Sequence, residues 1–329
     1  DLAGVRVGLS ICEDLWVAGG PVTQLGVGGA QLVVNINGSP YHRHKLVERE
    51  RVLADRVAEA GCPIAYLNLV GGQDELVFDG GSMVVDDRGR VVARARQFVE
   101  DLVIVDLDVP ERSLDDTSYP VDVLGDRTSG VDTEPVPDAP VVLVTGGDAP
   151  GSGDPMAELH DALVLATRDY LAKTGFSKVC LGLSGGIDSS LVAALGVAAV
   201  GPEQVHGVLM PSRYSSDHSV TDAEKLAANL GITTTTVPIE AAHAAFLDLL
   251  ASSFAGRDPD VTEENLQSRI RGVLLMALAN KFGWLVLTTG NKSEAAVGYS
   301  TLYGDTAGAY AVIKDVYKLD VYRLSLIHI

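Results

Sequence analysis

The run Leu181-Gly182-Leu183-Ser184-Gly185-Gly186-Ile187-Asp188-Ser189-Ser190 restricts the fold of this 329-residue chain more than any other feature. It lies between an apolar, strand-like segment and a helix-like one. Gly185 and Gly186 remove side chains where a pyrophosphate must approach the backbone. Ser184, Ser189 and Ser190 offer hydroxyls, and the helix that follows aims free N–H groups and its positive dipole end at an anion. Asp188 would repel phosphate unless a cation stood between them, so it reads as a magnesium ligand. No lysine follows the glycines, so this is not a Walker loop.

The surroundings agree. From Met156 onward, helix-like stretches (about Met156–Lys173, Ser189–Val200, Thr221–Leu230 and Glu263–Phe282) alternate with strand-like ones (Val179–Leu183, Val205–Met210, Thr233–Val237 and Trp284–Thr288). Such alternation predicts a parallel, doubly wound sheet. The first region, residues 1–109, has short apolar runs at Val5–Ile11, Leu32–Ile36, Ile64–Val70, Met83–Val85 and Val103–Leu107. Each is bounded by Gly, Asp or Pro, which suits strands. A helix is predicted over Lys45–Glu59 from the spacing of Leu46, Val47, Leu53, Val57 and Ala58, and Asp86-Asp87-Arg88-Gly89 reads as a hairpin turn. Between the two regions, residues 110–155 are rich in Pro, Asp, Gly and Ser and read as a linker in which only Val141–Leu143 could form a strand.

Composition excludes several classes of function. The formal net charge is -19, which argues against a nucleic-acid partner, because phosphate backbones require clustered Lys and Arg. No apolar run is long enough to span a membrane. The three cysteines, Cys12, Cys62 and Cys180, show no metal-ligand spacing, and the simplest compartment is a reduced, cytoplasmic one.

Ser184-Gly185-Gly186-Ile187-Asp188-Ser189 resembles the signature of the N-type ATP pyrophosphatases, which split ATP between its α and β phosphates. Four further segments narrow the resemblance to the synthetase domain of NAD synthetases, over Met156 to about Arg323. They are Glu264–Arg271, Thr288–Glu294, Gly298–Asp305 and Lys314–Lys318. The resemblance implies ATP as substrate, Mg2+ as cofactor and deamido-NAD (nicotinic acid adenine dinucleotide) as the acid that is adenylated and then amidated. It implies ATP contacts at Gly182, Leu183, Ser184, Gly185, Gly186, Ile187, Asp188, Ser189, Thr289 and Lys318. Deamido-NAD contacts are implied at Asn265, Arg271, Glu294, Tyr299, Ser300, Thr301 and Leu302, and metal ligation at Asp188 and Glu294. Arg269, Arg271 and Lys318 could equally be solvated surface charges. Other acceptors, as in GMP synthetase, asparagine synthetase or tRNA-thiolating enzymes, keep the same ATP chemistry; a third reading is non-catalytic, a piece that folds only as a binding module or does not fold stably.

Cys12 stands at a strand end in Ser10-Ile11-Cys12-Glu13-Asp14-Leu15-Trp16, an exposed elbow where nearby N–H groups can lower a thiol's pKa. With Asn35–Lys45 and Gly71–Ser82, this resembles the latter part of a nitrilase-type glutaminase domain. The resemblance implies Cys12 as nucleophile, Ser39 and Lys45 as glutamine contacts, and glutamine or ammonia as nitrogen source. The Glu and Lys that assist the nucleophile in that family have no match here, so no glutaminase activity is expected from this stretch alone. Cys62 and Cys180 read as core residues, and His42 and His44 as surface histidines.

The fold expected is thus α/β. The C-terminal part of a nitrilase-like αββα sandwich (residues 1–109) precedes a Rossmann-like doubly wound sheet of the adenine nucleotide alpha hydrolase type (residues 156–329). Both ends read as cut, the synthetase domain as C-terminally truncated and the residues after Arg323 as a departure from the family pattern. A homo-oligomer is expected.

Overall fold

The computed structural model describes residues 2, 4–111, 141–143 and 154–326. Two compact units form, Asp1–Pro155 and Met156–Ile329. Most of the stretch read as a linker, residues 112–140 and 144–153, lies outside the described residues, as do residues 327–329.

The first unit begins with β1 (Val7–Ile11), α1 (Pro21–Val27), β2 (Leu32–Asn37), α2 (Lys45–Ala60) and β3 (Ile64–Asn68). It continues with β4 (Val70–Gln73), β5 (Leu76–Asp79), β6 (Met83–Val85), β7 (Val91–Arg94), β8 (Leu102–Ile104) and β9 (Val141–Leu143). Its main sheet has the order β1-β2-β3-β6-β7. The first three strands run parallel and the last two antiparallel. The apolar run Ile64–Val70 is not one strand: β3 ends on the register pair Asn37–Asn68, and β4 leaves to form a hairpin with β5. Asp86 makes the β6–β7 turn, its carboxylate accepting from the N–H groups of Arg88 and Arg90.

Strand alternation sorts the sheet's two faces. Val33, Ile64, Tyr66, Met83 and Val85 pack with Val22 of α1 and Leu46, Leu53 and Val57 of α2. The opposite face presents Leu9, Ile11, Ile36 and Leu67, all exposed. Within α2 two inward positions, Arg49 and Arg56, are charged rather than apolar. Val47 is exposed, and Arg49 is fully buried. It can be buried because its Nη1 donates to Asp79 Oδ2 at 2.8 Å and its Nη2 to the Ser39 carbonyl at 2.9 Å.

The second unit comprises α3 (Pro155–Thr174), β10 (Val179–Gly182), α4 (Ile187–Val200), β11 (Val205–Leu209), α5 (Asp217–Leu230) and β12 (Thr233–Thr236). After these come α6 (Glu240–Leu250), α7 (Val261–Phe282), β13 (Leu285–Thr288), α8 (Lys292–Val297), β14 (Tyr310–Ala311) and α9 (Lys318–Ser325). The sheet order is β12-β11-β10-β13-β14, parallel at every pairing. The central strands are buried on both faces. Val179, Leu181, Leu285 and Leu287 join the core beneath α4 and α9, while Cys180, Val208 and Val286 join the core beneath α6 and α7. This is a doubly wound sheet, as expected. Two helices start earlier than their apolar spacing suggests. Ser216 caps α5, accepting from Ser219 N, and Asp260 with Glu263 forms a capping box on α7. The short helices α8 and α9 carry too few apolar repeats to be read from periodicity. Among the described residues, no helix is long and apolar enough to cross a membrane.

Both partners of the Arg49–Asp79 pair are fully buried. Replacing Arg49 by Met leaves a buried carboxylate uncompensated, which costs about 3–5 kcal/mol. A urea denaturation of the first unit should show that loss, and Arg49→Met/Asp79→Leu should recover part of it.

Candidate functional site

Between β11 and β10 the strand order runs one way, and from β10 to β13 it runs the other. At such a reversal, the connections leaving two neighbouring strands turn to opposite faces and leave a crevice at their carboxyl ends. The Ser-Gly-Gly loop leaves β10 at that point, and Thr289–Glu294 leaves β13 beside it.

The loop is held by its own serines. Ser189 Oγ donates to the Gly186 carbonyl at 2.9 Å and lies 3.1 Å from Ser184 Oγ, which accepts from Gly186 N. Ser190 Oγ also donates to the Gly186 carbonyl, at 2.9 Å. Gly185 has φ +79°, and a Cβ there would meet the Ser219 carbonyl oxygen at 2.3 Å. Ile187 and Asp188 open α4, with Gly186 as a cap that has no side chain of its own.

Asp188 is engaged at both carboxylate oxygens. Lys318 Nζ donates to Oδ2, and Asn291 Nδ2 donates to Oδ1 at 3.0 Å. Asn291 is fully buried and also ties Glu294 into place. Its Oδ1 accepts from Glu294 N at 3.0 Å, and its own N–H donates to Glu294 Oε2 at 3.1 Å. Ser293 Oγ accepts from Lys318 N at 3.0 Å, joining α8 to α9. Asp188, Glu294 and Lys318, far apart in sequence, thus form one network, and Lys318 is not a free surface lysine. Glu294 is at the same time a local cap of α8. Asn291 was legible only as part of a motif; its role as link emerges from its buried position.

These residues suit a magnesium ion. Among the described residues no group of three or more His, Cys, Asp or Glu side chains could hold a metal by itself. Magnesium, however, usually takes one or two carboxylates and fills its shell with phosphate oxygens and water. The Lys318 ammonium already places a positive charge against Asp188, as a cation at that carboxylate would.

Beside the loop opens a cavity of about 490 Å³, bounded by Gly182, Leu183, Ser184, Met210, Thr289 and Arg271 among others. Arg271 is not a solvated surface charge. Its Nε donates to the Met210 carbonyl at 3.0 Å, and burial lowers the pKa of its guanidinium. Asp305 also lines this cavity, a residue that sequence reasoning passed over.

The segment 299–306 is stapled to α7. Thr301 Oγ1 donates to Asn265 Oδ1 at 2.8 Å, Asp305 N to Ser268 Oγ at 3.0 Å, and Arg269 Nε to the Leu302 carbonyl at 3.2 Å. Gly304 lies so close to α7 that a Cβ would meet Ser268 Oγ at 2.3 Å. Tyr299 and Leu302 are exposed, and Ser300 N donates to the Gly298 carbonyl. Neither Asn265 nor Tyr299–Leu302 lines the cavity.

In the first unit, Cys12 opens a 3-10 turn at the end of β1 with φ +43°, a left-handed backbone rare for a side-chain-bearing residue. Such strain, costing on the order of 1–3 kcal/mol, concentrates at functional positions. Asp14 holds the turn, accepting from Ile11 N at 2.8 Å. Burial raises the pKa of the Tyr66 phenol; Arg49 opposes that shift, and Asp79 and Cys12 add to it. Those groups therefore share one electrostatic neighbourhood. Ser39 lies there too, its N–H donating to Asn68 Oδ1 at 2.9 Å. Lys45 Nζ lies 3.8 Å from the centre of the Trp16 ring and 3.0 Å from Glu48 Oε2, and that hydrogen bond holds the Glu48 carboxyl below its usual range. Cys62 and Cys180 are buried, and burial pushes the Cys180 thiol up to about 12. His42 and His44 are exposed.

Comparison with known proteins fits this division. The NAD synthase family model matches residues 159–327, and the carbon-nitrogen hydrolase family model matches residues 1–113. The chain is 49% identical over 332 aligned positions to the glutamine-dependent NAD(+) synthetase of Thermotoga maritima, covering 98% of this chain and 57% of that protein. It is 48% identical to the Xanthomonas campestris protein of the same name, covering 98% and 53%. It therefore spans little more than half the length of these relatives. Among solved structures, the glutamine-dependent NAD+ synthetase of Acinetobacter baumannii in complex with ADP aligns with a TM-score of 0.81 and 39% identity, over 99% of this chain and 56% of that one.

Gly185→Ala should weaken binding of ATP with magnesium by tenfold or more, roughly 1.4 kcal/mol, because both its φ and its approach to Ser219 exclude a Cβ. Titration calorimetry would check this, and unchanged affinity would remove the loop from the nucleotide site.

Proposed function

The chain belongs to the NAD synthase family, and from that premise we propose that it carries the ATP-dependent amidation of deamido-NAD to NAD, with ammonia drawn from glutamine. The observation that carries this reading is the network at the sheet's switch point. A Gly-rich loop without a Walker lysine, carrying Asp188, meets Glu294 through Asn291 and meets Lys318 directly, each brought from another segment.

In this reading the nicotinate carboxylate attacks the α-phosphorus of ATP, and the bond to the β-phosphate breaks. Ammonia then displaces AMP from the adenylate, leaving the amide. The N–H groups at the start of α4 and the Gly185-Gly186 backbone hold the departing pyrophosphate. Lys318 moves its positive charge from Asp188 toward the phosphates, and Arg271 supplies a fixed cation to the cavity. Asp188 and Glu294 would hold a magnesium ion, which would supply positive charge against that of the phosphates. Asn265, stapled to Thr301, and the segment Tyr299–Leu302 form the side on which the dinucleotide is expected. The family match favours this acceptor over a guanylate precursor, aspartate or tRNA.

Cys12 is proposed as the glutaminase nucleophile, with Ser39 and Lys45 positioning glutamine. The elbow's strained backbone supports that role. Its three cysteines, all unpaired with one another, suit a reducing compartment.

Three measurements on the full-length enzyme test the reading. With ammonia, ATP, magnesium and deamido-NAD, the products should be AMP and pyrophosphate; ADP and phosphate would overturn the assignment. Cys12→Ala should abolish glutamine-driven synthesis and spare ammonia-driven synthesis. Asp188→Asn and Glu294→Gln should each lower turnover about a hundredfold, as for loss of one preorganised electrostatic contact of about 3 kcal/mol. A Glu294→Gln enzyme with unchanged turnover and magnesium dependence would leave Glu294 only its role as a cap.

A further inference from the structure

We infer that Asn291 is a positioning residue that holds Asp188 and Glu294 in register for the metal. This rests on the proposed role of those carboxylates and adds to it a residue that touches neither substrate nor reacting atoms.

The inference starts from how completely Asn291 is used. It is fully buried, and a buried amide must satisfy both its ends. The Nδ2 end is spent on Asp188 Oδ1, at the start of α4. The Oδ1 end accepts from Glu294 N and thereby caps α8. Its backbone N–H returns to Glu294 Oε2. One residue therefore connects two carboxylates that the chain separates by 106 positions, 294 − 188: its side-chain amide holds that of Asp188 and grips the Glu294 backbone, and its own backbone N–H holds that of Glu294. Because one end faces an N–H donor and the other a carboxylate, the orientation of the amide is fixed as well.

A helix cap alone does not require this residue. Ser, Thr and Asp cap as well as Asn does. Among these capping residues only the amide carries its donor and its acceptor on separate atoms, so that it can accept from the α8 backbone while its NH2 reaches a carboxylate. Asp would cap but set a like charge against Asp188. Ser would cap but reach no further. Groups that orient a metal's carboxylate ligands without touching the metal commonly change affinity when removed. Lys318 does not perform the task, because its ammonium is engaged with the other oxygen of Asp188.

The test compares Asn291→Ser, which keeps a cap, with Asn291→Ala, which loses it. Unfolding midpoints report the cap. Binding of Mn2+ in the presence of ATP, followed by electron paramagnetic resonance, reports the carboxylates, and the magnesium concentration giving half-maximal turnover reports them in the working enzyme. Asn291→Ser should recover the stability that Asn291→Ala loses, yet bind Mn2+ on the order of tenfold or more weakly and need correspondingly more magnesium. In an Asp188→Asn background, Asn291→Ser should have little further effect on Mn2+ binding. If Asn291→Ser restores stability and Mn2+ binding together, the residue is a cap only and the inference fails. Should the Ser variant not fold, NMR of the Asn291 side-chain amide in the unaltered protein decides: slow hydrogen exchange and a shift on adding magnesium and ATP support the link, and fast exchange overturns it. Metal and ATP binding do not depend on the acceptor, so a failure of the unaltered enzyme to amidate deamido-NAD would be read separately.

Discussion

The reversal of strand order between β10 and β13 places every charged group of the second site. Two parallel strands that lie side by side but send their connections to opposite faces leave their carboxyl ends uncovered. Only there can the backbone of one loop and the side chains of the next meet without an intervening helix. Asp188 opens α4 directly after the loop that leaves β10, and after β13 Asn291 caps α8, whose first turn carries Glu294. Lys318 arrives on α9, whose first N–H is fixed to Ser293 of α8. The network is thus a consequence of topology: moving β13 elsewhere in the sheet would separate the carboxylates while leaving every local element intact.

The first unit solves a comparable problem with a buried ion pair. Arg49 on α2 reaches Asp79 at the end of β5, and it also holds the Ser39 carbonyl. The segment that follows β2 is therefore fixed by a charge inside the core rather than by apolar packing. Cys12 at the neighbouring end of β1 faces the same sheet edge, since β1 and β2 pair through Ile11–Ile36. The elbow is tied by Asp14 and the segment bearing Ser39 by Arg49.

Much of this was legible in the order of the residues. The glycines and serines of 184–190 predict a tight turn from strand to helix, and that turn joins β10 to α4. Alternating strands and helices announced the doubly wound sheet. What escaped had a physical reason in each case. Arg49 looked polar and its partner Asp79 lies in another strand, so a helix reading based on apolar spacing chose Val47 instead. Helices α8 and α9 are too short for periodicity to register. The link between Asp188 and Asn291 joins strands whose neighbourhood depends on sheet order, which no local pattern encodes.

Charge presents the remaining apparent conflict, since a chain of formal net charge -19 is expected to bind a polyanionic nucleotide. Range decides it. At physiological ionic strength the Debye length is about 8 Å, so distant surface carboxylates are largely screened from a phosphate in the crevice. Within that distance the balance differs. The N-terminus of α4 contributes a partial positive charge, Arg271 a half-buried guanidinium and Lys318 an ammonium. Asp188 opposes them, but its two oxygens are already occupied by Lys318 and Asn291. An acidic protein can therefore hold phosphates provided that its local cations are fixed. Arg271 is fixed through the Met210 carbonyl, a hydrogen bond that the nucleotide does not need to break, whereas the Lys318 ammonium is held by Asp188 and its backbone N–H is anchored by the Ser293 hydroxyl.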